Sequence, residues 1–201
     1  MSDEPANELL TATHRALCRH GYADLTLRQI AAESDRSKAA LHYHYHSKEE
    51  LFDAFLDYLY EQYAEDVRSV DGTTGREQLH SLLELLLEDG SGAGPDFGTA
   101  LLEVRAQAPY DETIRRQLRR FDELLVDRIQ EVIADGVERG EFDGGVDPGR
   151  AAACLVTLVE GARVRGVVAD PDECSRAVAE YVERELLSAD STHSVATEAG
   201  R

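Results

Sequence analysis

The chain has 201 residues and a formal net charge of −19, from 40 Asp and Glu residues against 21 Lys and Arg residues. This length accommodates one domain, or a small domain joined to a larger one. Because no run of 18 apolar residues is present and residues 1–4 are acidic, we expect neither a membrane-spanning helix nor a signal peptide, and we predict a cytoplasmic protein.

Helical periodicity extends along the chain to about residue 188. A first helix is predicted at Pro5–His20, where apolar residues recur on one face and Gly21 is placed to end the helix. Two short helices follow within residues 26–46. Later helices are expected at roughly 47–70, 79–87, 96–108, 110–139, 148–168 and 171–188. These nine helices, with no convincing strand and a disordered tail expected at residues 189–201, predict an all-α protein.

The densest local signals lie in residues 26–51. Thr26 precedes Gln29 by three residues, and Ser47 precedes Glu50 by the same spacing. Both pairs are typical of a capping box, in which the two side chains bind free backbone N–H groups at a helix start. A polar break at residues 33–36 separates the two short helices. A helix, a short break and a second helix form a helix-turn-helix, whose second helix enters the major groove of DNA.

The segment from Ser37 to Leu51, SKAALHYHYHSKEEL, resembles the signature of the tetracycline-repressor (TetR) family of bacterial and archaeal regulators. His20-Gly21-Tyr22, Thr26 and Ile30-Ala31-Ala32 fit the same pattern in register. The resemblance implies an N-terminal three-helix helix-turn-helix DNA-binding domain at residues 1–48. It also implies a C-terminal helical domain for effector binding and dimerisation at residues 49–188.

By the same resemblance, a set of hydroxyl, basic, small and aromatic side chains is expected to contact DNA. The set is Thr26, Arg28, Arg36, Ser37, Lys38, Ala39, Ala40, His42, Tyr43, His46 and Lys48. Lys38 is expected to read guanine O6 and N7, whereas Lys48 is expected to bind phosphate. Thr26 presents a hydroxyl and helix N-terminal N–H groups to a phosphate. Ala39 and Ala40 are small enough to let the recognition helix lie deep in the groove.

The recognition segment departs from the family pattern in its turn and at residue 42. The family usually has glycine and then a small aliphatic residue where this chain has Asp35 and Arg36. Aspartate tolerates a left-handed turn conformation, so we expect the turn geometry to be kept. Arg36 is interpreted as an additional phosphate contact. His42 replaces the usual tyrosine, which makes that contact sensitive to pH near neutrality.

A metal site and an enzyme are the alternatives from other functional classes. His42 and His46 are i,i+4 neighbours that would be able to share a zinc ion, but the sequence offers no cysteine or third ligand nearby. No Ser/His/Asp order, glycine-rich phosphate loop or HExxH pattern supports catalysis. We therefore predict a non-enzymatic protein without a metal or cofactor. Cys18, Cys154 and Cys174 lack CxxC spacing and are interpreted as small buried residues.

For the larger domain, the resemblance implies a pocket for a small-molecule effector. The candidate lining residues are Phe55, Tyr58, Leu82, Phe97, Leu101, Arg105, Phe121 and Arg163. Ordinary core packing is the alternative for each of them. His80, Glu103 and Tyr110 are left without an assigned role.

Apolar faces on the last two helices are expected to form a four-helix interface between two copies of the chain. The candidate interface residues are Cys154, Leu155, Leu158, Val159, Ala162, Val167, Ala177, Val178, Tyr181 and Leu186. Two recognition helices would then read half-sites about one helical turn apart.

The acidic surplus is concentrated outside the DNA-reading segment. Residues 1–50 contain six Lys and Arg and eight Asp and Glu, whereas residues 51–201 contain 15 and 32. The only two lysines of the chain, Lys38 and Lys48, lie in the first segment. An acidic surface in which Arg replaces Lys suggests a halophilic organism, in which excess acid keeps proteins soluble. An ordinary mesophile with an acidic regulatory domain is the alternative.

Together these patterns predict a sequence-specific DNA-binding transcriptional regulator. The favoured form is a homodimeric repressor that a small-molecule effector releases from a palindromic operator. A constitutive DNA-binding or architectural protein without an effector is the alternative. A sizeable pocket with a few polar groups would favour the first, and a filled interior would favour the second.

Overall fold

A computed structural model of the protein describes residues 4–34, 41, 43–87 and 95–185. Within these ranges the chain forms eight α-helices and no strand, which confirms the all-α prediction. None of these helices has a stretch both long and apolar enough to cross a membrane. The helices are α1 (Glu4–Asp24), α2 (Leu27–Glu33), α3 (Lys48–Ser69), α4 (Gly75–Leu87), α5 (Pro95–Gln107), α6 (Glu112–Glu138), α7 (Pro148–Gly166) and α8 (Pro171–Glu185).

Most helix boundaries follow the signals in the sequence. Gly21 has a left-handed φ of 70° that interrupts α1 at the predicted position, and Gly140 has a φ of 71° just after α6. Glycine adopts this conformation without the Cβ clash that other residues suffer. At the start of α7, the Asp147 carboxylate accepts the Arg150 N–H at 2.9 Å, and Pro148 occupies the first helical turn.

The start of α4 corrects one expectation. The helix begins at Gly75, inside the segment expected to be a loop, rather than at residue 79. A capping box explains the earlier start, because the Glu77 N–H donates to Thr74 Oγ1 at 3.1 Å and the Glu77 carboxylate accepts the Thr73 N–H at 2.8 Å.

Several predicted segments lie outside the described residues. They are the turn with Asp35 and Arg36, most of the recognition helix and the tail expected at residues 189–201. At the end of the recognition helix, Leu41 and Tyr43 are helical, and the Tyr45 N–H donates to the Leu41 carbonyl at 2.8 Å, as in an α-helical turn. Leu41 is fully buried, which anchors this turn on the core below it.

Two apolar cores hold the helices together. The first joins α1, α2 and the start of α3 to α5 and to Ile114 of α6. The second joins the end of α3 to α4, α6, α7 and α8. The long helix α3 therefore contributes its first half to one core and its last turns to the other. The predicted domain boundary at residues 48 and 49 falls where α3 begins, and α3 and α5 both pack against the N-terminal helices.

The cysteines do not share one environment, contrary to their interpretation as uniformly buried. Cys174 is buried and Cys18 is partly buried, but Cys154 is exposed. Cys154 lies on the outer face of α7, whereas the next residue, Leu155, faces the second core. The position on the helix, rather than the residue type, decides this difference.

Candidate DNA-binding surface and ligand cavity

The start of α2 has the predicted cap. Thr26 is extended, and its Oγ1 accepts the Gln29 N–H at 3.3 Å and donates to Gln29 Oε1 at 2.7 Å. Ile30 is buried and fixes α2 on the first core, while Thr26 and Arg28 remain exposed. Both candidate DNA contacts are therefore accessible at the end of α2 where free N–H groups favour an anion.

The start of α3 is capped in a related way. Ser47 Oγ accepts the Glu50 N–H at 3.1 Å, and Glu50 Oε2 accepts the N–H of His46 at 2.8 Å. Tyr43, with 82% of its side chain exposed, and His46 are accessible just before this cap. Six of the predicted DNA contacts lie outside the described residues: Arg36, Ser37, Lys38, Ala39, Ala40 and His42.

Lys48 is held within the protein itself. Its Nζ donates to the Tyr22 carbonyl at 2.8 Å and lies 4.3 Å from the centroid of the Tyr22 ring. Partial burial lowers the pKa of this amine from its ordinary value, against the attraction of Glu49 and Asp24. Lys48 thus ties the start of α3 to the last turn of α1, just before α2. Its contact with phosphate stays a prediction.

The other side of Tyr22 is held by α5. The Tyr22 N–H donates to Glu103 Oε2 at 2.7 Å, across 81 residues of sequence. A Cβ built on Gly21 would lie 2.5 Å from the same oxygen, so the glycine permits this close approach. The N–H and carbonyl of one residue are therefore bound by two different helices of the larger domain, α5 and α3. We call this arrangement the Tyr22 clamp. Sequence patterns gave Glu103 no role, because no local spacing signals a contact at this separation.

A cavity of about 530 Å³ lies between the two cores. Its wall combines residues from α1, α3, α5, α6 and α7, with a few from α4 and from the start of α8. The predicted pocket residues found in the wall are Tyr58, Phe97, Leu101, Arg105, Phe121 and Arg163. Phe55 and Leu82 do not line it, because both are fully buried in the cores on either side.

One part of the cavity wall is polar. Arg105 on α5 donates to Glu160 Oε1 at 2.8 Å, and Arg163 donates to the same oxygen at 3.4 Å. Arg163 also donates through Nε and a terminal nitrogen to the Leu86 carbonyl, at 3.2 and 2.9 Å, near the end of α4. Tyr63 also lines the cavity, and burial raises the pKa of its hydroxyl to about 12. Tyr63 is therefore a neutral hydrogen-bonding group at physiological pH.

Sequence reasoning missed Glu160 and Tyr63 as cavity residues. Glu160 lies three residues before Arg163 on one helix, a spacing that signals an ion pair but not a cavity. Tyr63 lies on the apolar face of α3, where the sequence pattern predicts a core residue. Only the arrangement of the helices brings these residues to one wall.

The residues predicted for the dimer interface fall into two groups. Leu155, Val159 and Val178 are buried in the core of the protomer. Cys154 and Ala177 are exposed, as are Val167 at 55% and Tyr181 at 48%, whereas Leu158 and Ala162 are partly buried. Leu186 lies outside the described residues. The exposed group shares the outer surface of α7 and α8 with Val164 and Val168.

Across the described ranges, we find no cluster of three or more His, Cys, Asp or Glu side chains arranged to hold a metal ion. His42, half of the pair considered as a zinc site, lies outside those ranges.

Comparison with known proteins agrees with this architecture. Residues 9–55 match the family described as bacterial regulatory proteins, tetR family, and residues 75–188 match the BetI-type transcriptional repressor C-terminal family. A TetR transcription regulator from Haloarcula marismortui has a similar solved structure, with 38% identity and a TM-score of 0.83, covering 92% of this chain and all of that chain.

Two further proteins are similar at lower identity. The transcriptional regulator TtgR of Pseudomonas putida is 25% identical over 173 residues, which span 80% of this chain and 79% of TtgR. A transcriptional regulator from Saccharomonospora viridis, solved in complex with choline, is 21% identical, with a TM-score of 0.76 over 92% of this chain and 99% of that chain. The two matched families together span most of the helical region, and their members are regulators rather than enzymes. The chain therefore belongs to the TetR family of transcriptional regulators.

Proposed function

We propose that the protein is a homodimeric repressor that binds a palindromic operator and is released from it by a small-molecule effector. The cavity of about 530 Å³ carries this proposal, because its size and its mainly apolar wall with a few polar groups are typical of ligand sites. An architectural DNA-binding protein would have no need of such a space. The cavity therefore favours the ligand-responsive regulator over the constitutive binder.

The Tyr22 clamp offers a route from the cavity to the DNA-binding helices. Leu101 and Arg105 of α5 line the cavity, and Glu103 of the same helix binds the N–H of Tyr22 just before α2. A ligand that binds one position of α5 better than another would shift the balance between two positions of Tyr22. The strength of the coupling between the cavity and the DNA-binding helices then depends on how much more tightly the ligand binds one of the two conformations than the other.

The outer face of α7 supports the dimer. Cys154, Thr157, Gly161 and Val164 are exposed on it at helical spacing, and Val168, 89% exposed, follows the helix. A Cβ built on Gly161 meets none of the described atoms within 4 Å, so packing inside the protomer does not require this glycine. Glycine inside a helix costs about 1 kcal/mol relative to alanine. Close approach of the α7 helix of a second copy would account for a glycine at this position.

Binding-site selection from random duplexes, in concentrated potassium chloride, tests the DNA-binding part of the proposal. We expect enrichment of a short inverted repeat, since a twofold dimer reads two equivalent half-sites. Selection without an enriched sequence would contradict the proposal and favour a non-specific architectural binder.

Variants of the two lysines then test the assignment of the recognition helix. Lys38→Ala should relax the preference at one operator base pair, by about 1–3 kcal/mol, because a guanine contact would be lost. Lys48→Ala should weaken binding to all sequences alike. Unchanged base discrimination in Lys38→Ala would contradict the assignment.

Light scattering of glycine variants tests the dimer. Gly161→Leu should give monomers, because a leucine side chain would separate the two α7 helices. Gly144→Leu is the matched control, since a Cβ at this loop glycine also meets none of the described atoms within 4 Å. A Gly161→Leu protein that stays dimeric would show that the interface lies elsewhere.

Effector screening is the remaining test. Choline, with which the regulator from Saccharomonospora viridis was solved, serves as a cationic reference compound in this screen, because a quaternary ammonium binds aromatic rings and Tyr58, Phe97 and Phe121 line the cavity. Release of the selected operator by a ligand that also binds free protein would support the repressor. Operator binding that no cavity ligand changes would favour the constitutive alternative.

A further inference from the structure

Where Arg105, Glu160 and Arg163 meet, the cavity wall has a local surplus of hydrogen-bond donors and of positive charge. Arg105 and Arg163 carry two positive charges, and Glu160 carries the one negative charge that contacts them. This excess stands out in a chain with a net charge of −19. The three side chains are only 31%, 31% and 22% exposed, so water screens the excess less than it would at the surface.

The two arginines differ in how far their donors are occupied. Arg163 uses Nε and both terminal nitrogens, two groups toward the Leu86 carbonyl and one toward Glu160. Arg163 thereby satisfies a carbonyl near the end of α4, where a cation also complements the helix dipole. Arg105 donates to a single acceptor among the described residues, Glu160. A guanidinium has five N–H donors, so Arg105 keeps the capacity to bind a further acceptor from inside the cavity.

Over its whole lining the cavity has three carboxylates against two arginines, so the positive excess is local to the partly buried group. Asp66 and Asp122 also line it, but both are exposed and lie where solvent reaches them. The remaining wall is mainly apolar, with Leu59, Leu101 and Phe121 among its side chains. The cavity thus combines an apolar body with one partly buried cationic group.

We infer that the cavity binds an amphipathic anion, a molecule with one carboxylate head and an aliphatic or aromatic body. The carboxylate is held by the free donors of Arg105 in the paired geometry that guanidinium and carboxylate share. Tyr63 lines the same cavity and adds a neutral hydroxyl donor, and the apolar body lies along α3, α5 and α6. This inference rests on the proposed function, since it names the class of effector that the regulator would sense.

Three probes with the same ten-carbon tail test the head group: decanoate, 1-decanol and decyltrimethylammonium. We expect calorimetry of the full chain, in concentrated potassium chloride and below the micelle concentrations, to show decanoate binding about 10- to 100-fold more tightly than either other probe. The contact is short-range, so salt should reduce this ratio little. Decanoate binding no tighter than 1-decanol, or decyltrimethylammonium binding more tightly, would overturn the inference.

Variants then test which residue binds the carboxylate. Arg105→Met should weaken decanoate binding roughly tenfold or more, whereas Glu160→Gln should strengthen it by removing the competing negative charge. Arg105→Lys should fall between Arg105→Met and the wild type, because it keeps the charge but loses the paired donors. Arg120→Met is the matched control, since Arg120 pairs with Asp57 away from the cavity wall. Equal decanoate affinity in Arg105→Met, Arg120→Met and the wild type would overturn the assignment of Arg105.

A separate measurement distinguishes this inference from the proposed function. Fluorescence anisotropy of the selected operator reports DNA release with each of the three probes. If decanoate binds as expected but the operator stays bound, the ligand class stands and release by this class fails. If decyltrimethylammonium instead binds and releases the operator, the repressor proposal stands and the anionic class is wrong.

Discussion

The two halves of α3 lie in contrasting surroundings. Along its first two turns, Leu51, Phe52 and Phe55 are at most 3% exposed and pack in the filled core beneath the DNA-binding helices. From Leu56 to Asp66, side chains of the same helix border an open cavity. One continuous helix therefore joins the buried core beneath the DNA-binding helices to the cavity, before its last turns enter the second core. Filled packing fixes the position of the DNA-binding helices, and the hollow leaves room for a ligand that can alter the structure next to them.

The largest effect expected from this contrast concerns two phenylalanines. Phe55→Ala should lower the free energy of unfolding by about 3–5 kcal/mol, because it removes a fully buried ring from a filled core. Phe121→Ala should cost clearly less, since this ring is only partly buried and faces a space that is already open. Urea unfolding measures both values. Equal losses would show that the cavity is as well packed as the core.

The next largest effect is a difference between the two regions in how salt changes their stability. Residues 51–201 hold nearly all of the acidic surplus, so repulsion between carboxylates acts mainly on the larger domain. Raising potassium chloride from 0.1 to 2 M should therefore slow hydrogen exchange more in α6 and α7 than in α1. Equal protection at both salt concentrations would contradict the halophilic interpretation.

Substitutions in the Tyr22 clamp should have non-additive effects on the free energy of unfolding. Gly21→Ala should cost about 1–2 kcal/mol from its left-handed φ, and more from the clash of its Cβ with Glu103. In the Gly21→Ala/Glu103→Ala pair, the clash is gone, so the double variant should lose less stability than the sum of the two single losses. Chemical unfolding of the four proteins gives the coupling energy. If the two losses of stability were strictly additive, Glu103 of α5 would not be in contact with Gly21.

The smallest effect concerns His14, which lies on α1 and borders the cavity. Its ring is 4.6 Å from the Phe97 ring between centroids, and burial, helped by Arg15, lowers its pKa from 6.5. The unfolded chain therefore binds a proton more readily than the folded protein as pH falls below about 6.5. The stability that the neutral imidazole contributes should be present above pH 6.5 and lost as pH falls through the lowered pKa. Unfolding at pH 7.5 and 5.5 measures this loss.

His14→Gln provides the comparison, because glutamine stays neutral at both values. The difference in stability between wild type and variant should shrink toward low pH. A constant difference would show that His14 titrates equally in the folded and unfolded states. Carboxylates change the stability of both proteins in parallel and cancel from this difference.

Local signals predicted the elements of the fold well. The Thr26 and Ser47 caps, the Gly21 interruption and the Asp147-Pro148 start of α7 all depend on contacts within four residues, and the structure has each of them. The Thr74–Glu77 box is of the same kind, and it starts α4 at Gly75, four residues before the start predicted from the apolar periodicity. Six of the eight candidate pocket residues line the cavity, because aromatic residues and arginines on several helix faces share one space between the helices; their role in effector binding stays a prediction.

What the sequence alone determined is the all-helical class, the family and the capped helix-turn-helix segment, because each depends on residue type and short spacing. Only the tertiary structure decided which face of α7 is core and which is surface, and therefore that Leu155 is buried while Cys154 is not. It also decided that Glu103 meets Tyr22 across 81 residues, and that Arg105 and Glu160 meet across 55. Contacts at such separations depend on the angles and distances at which whole helices pack. No spacing within one helix encodes them.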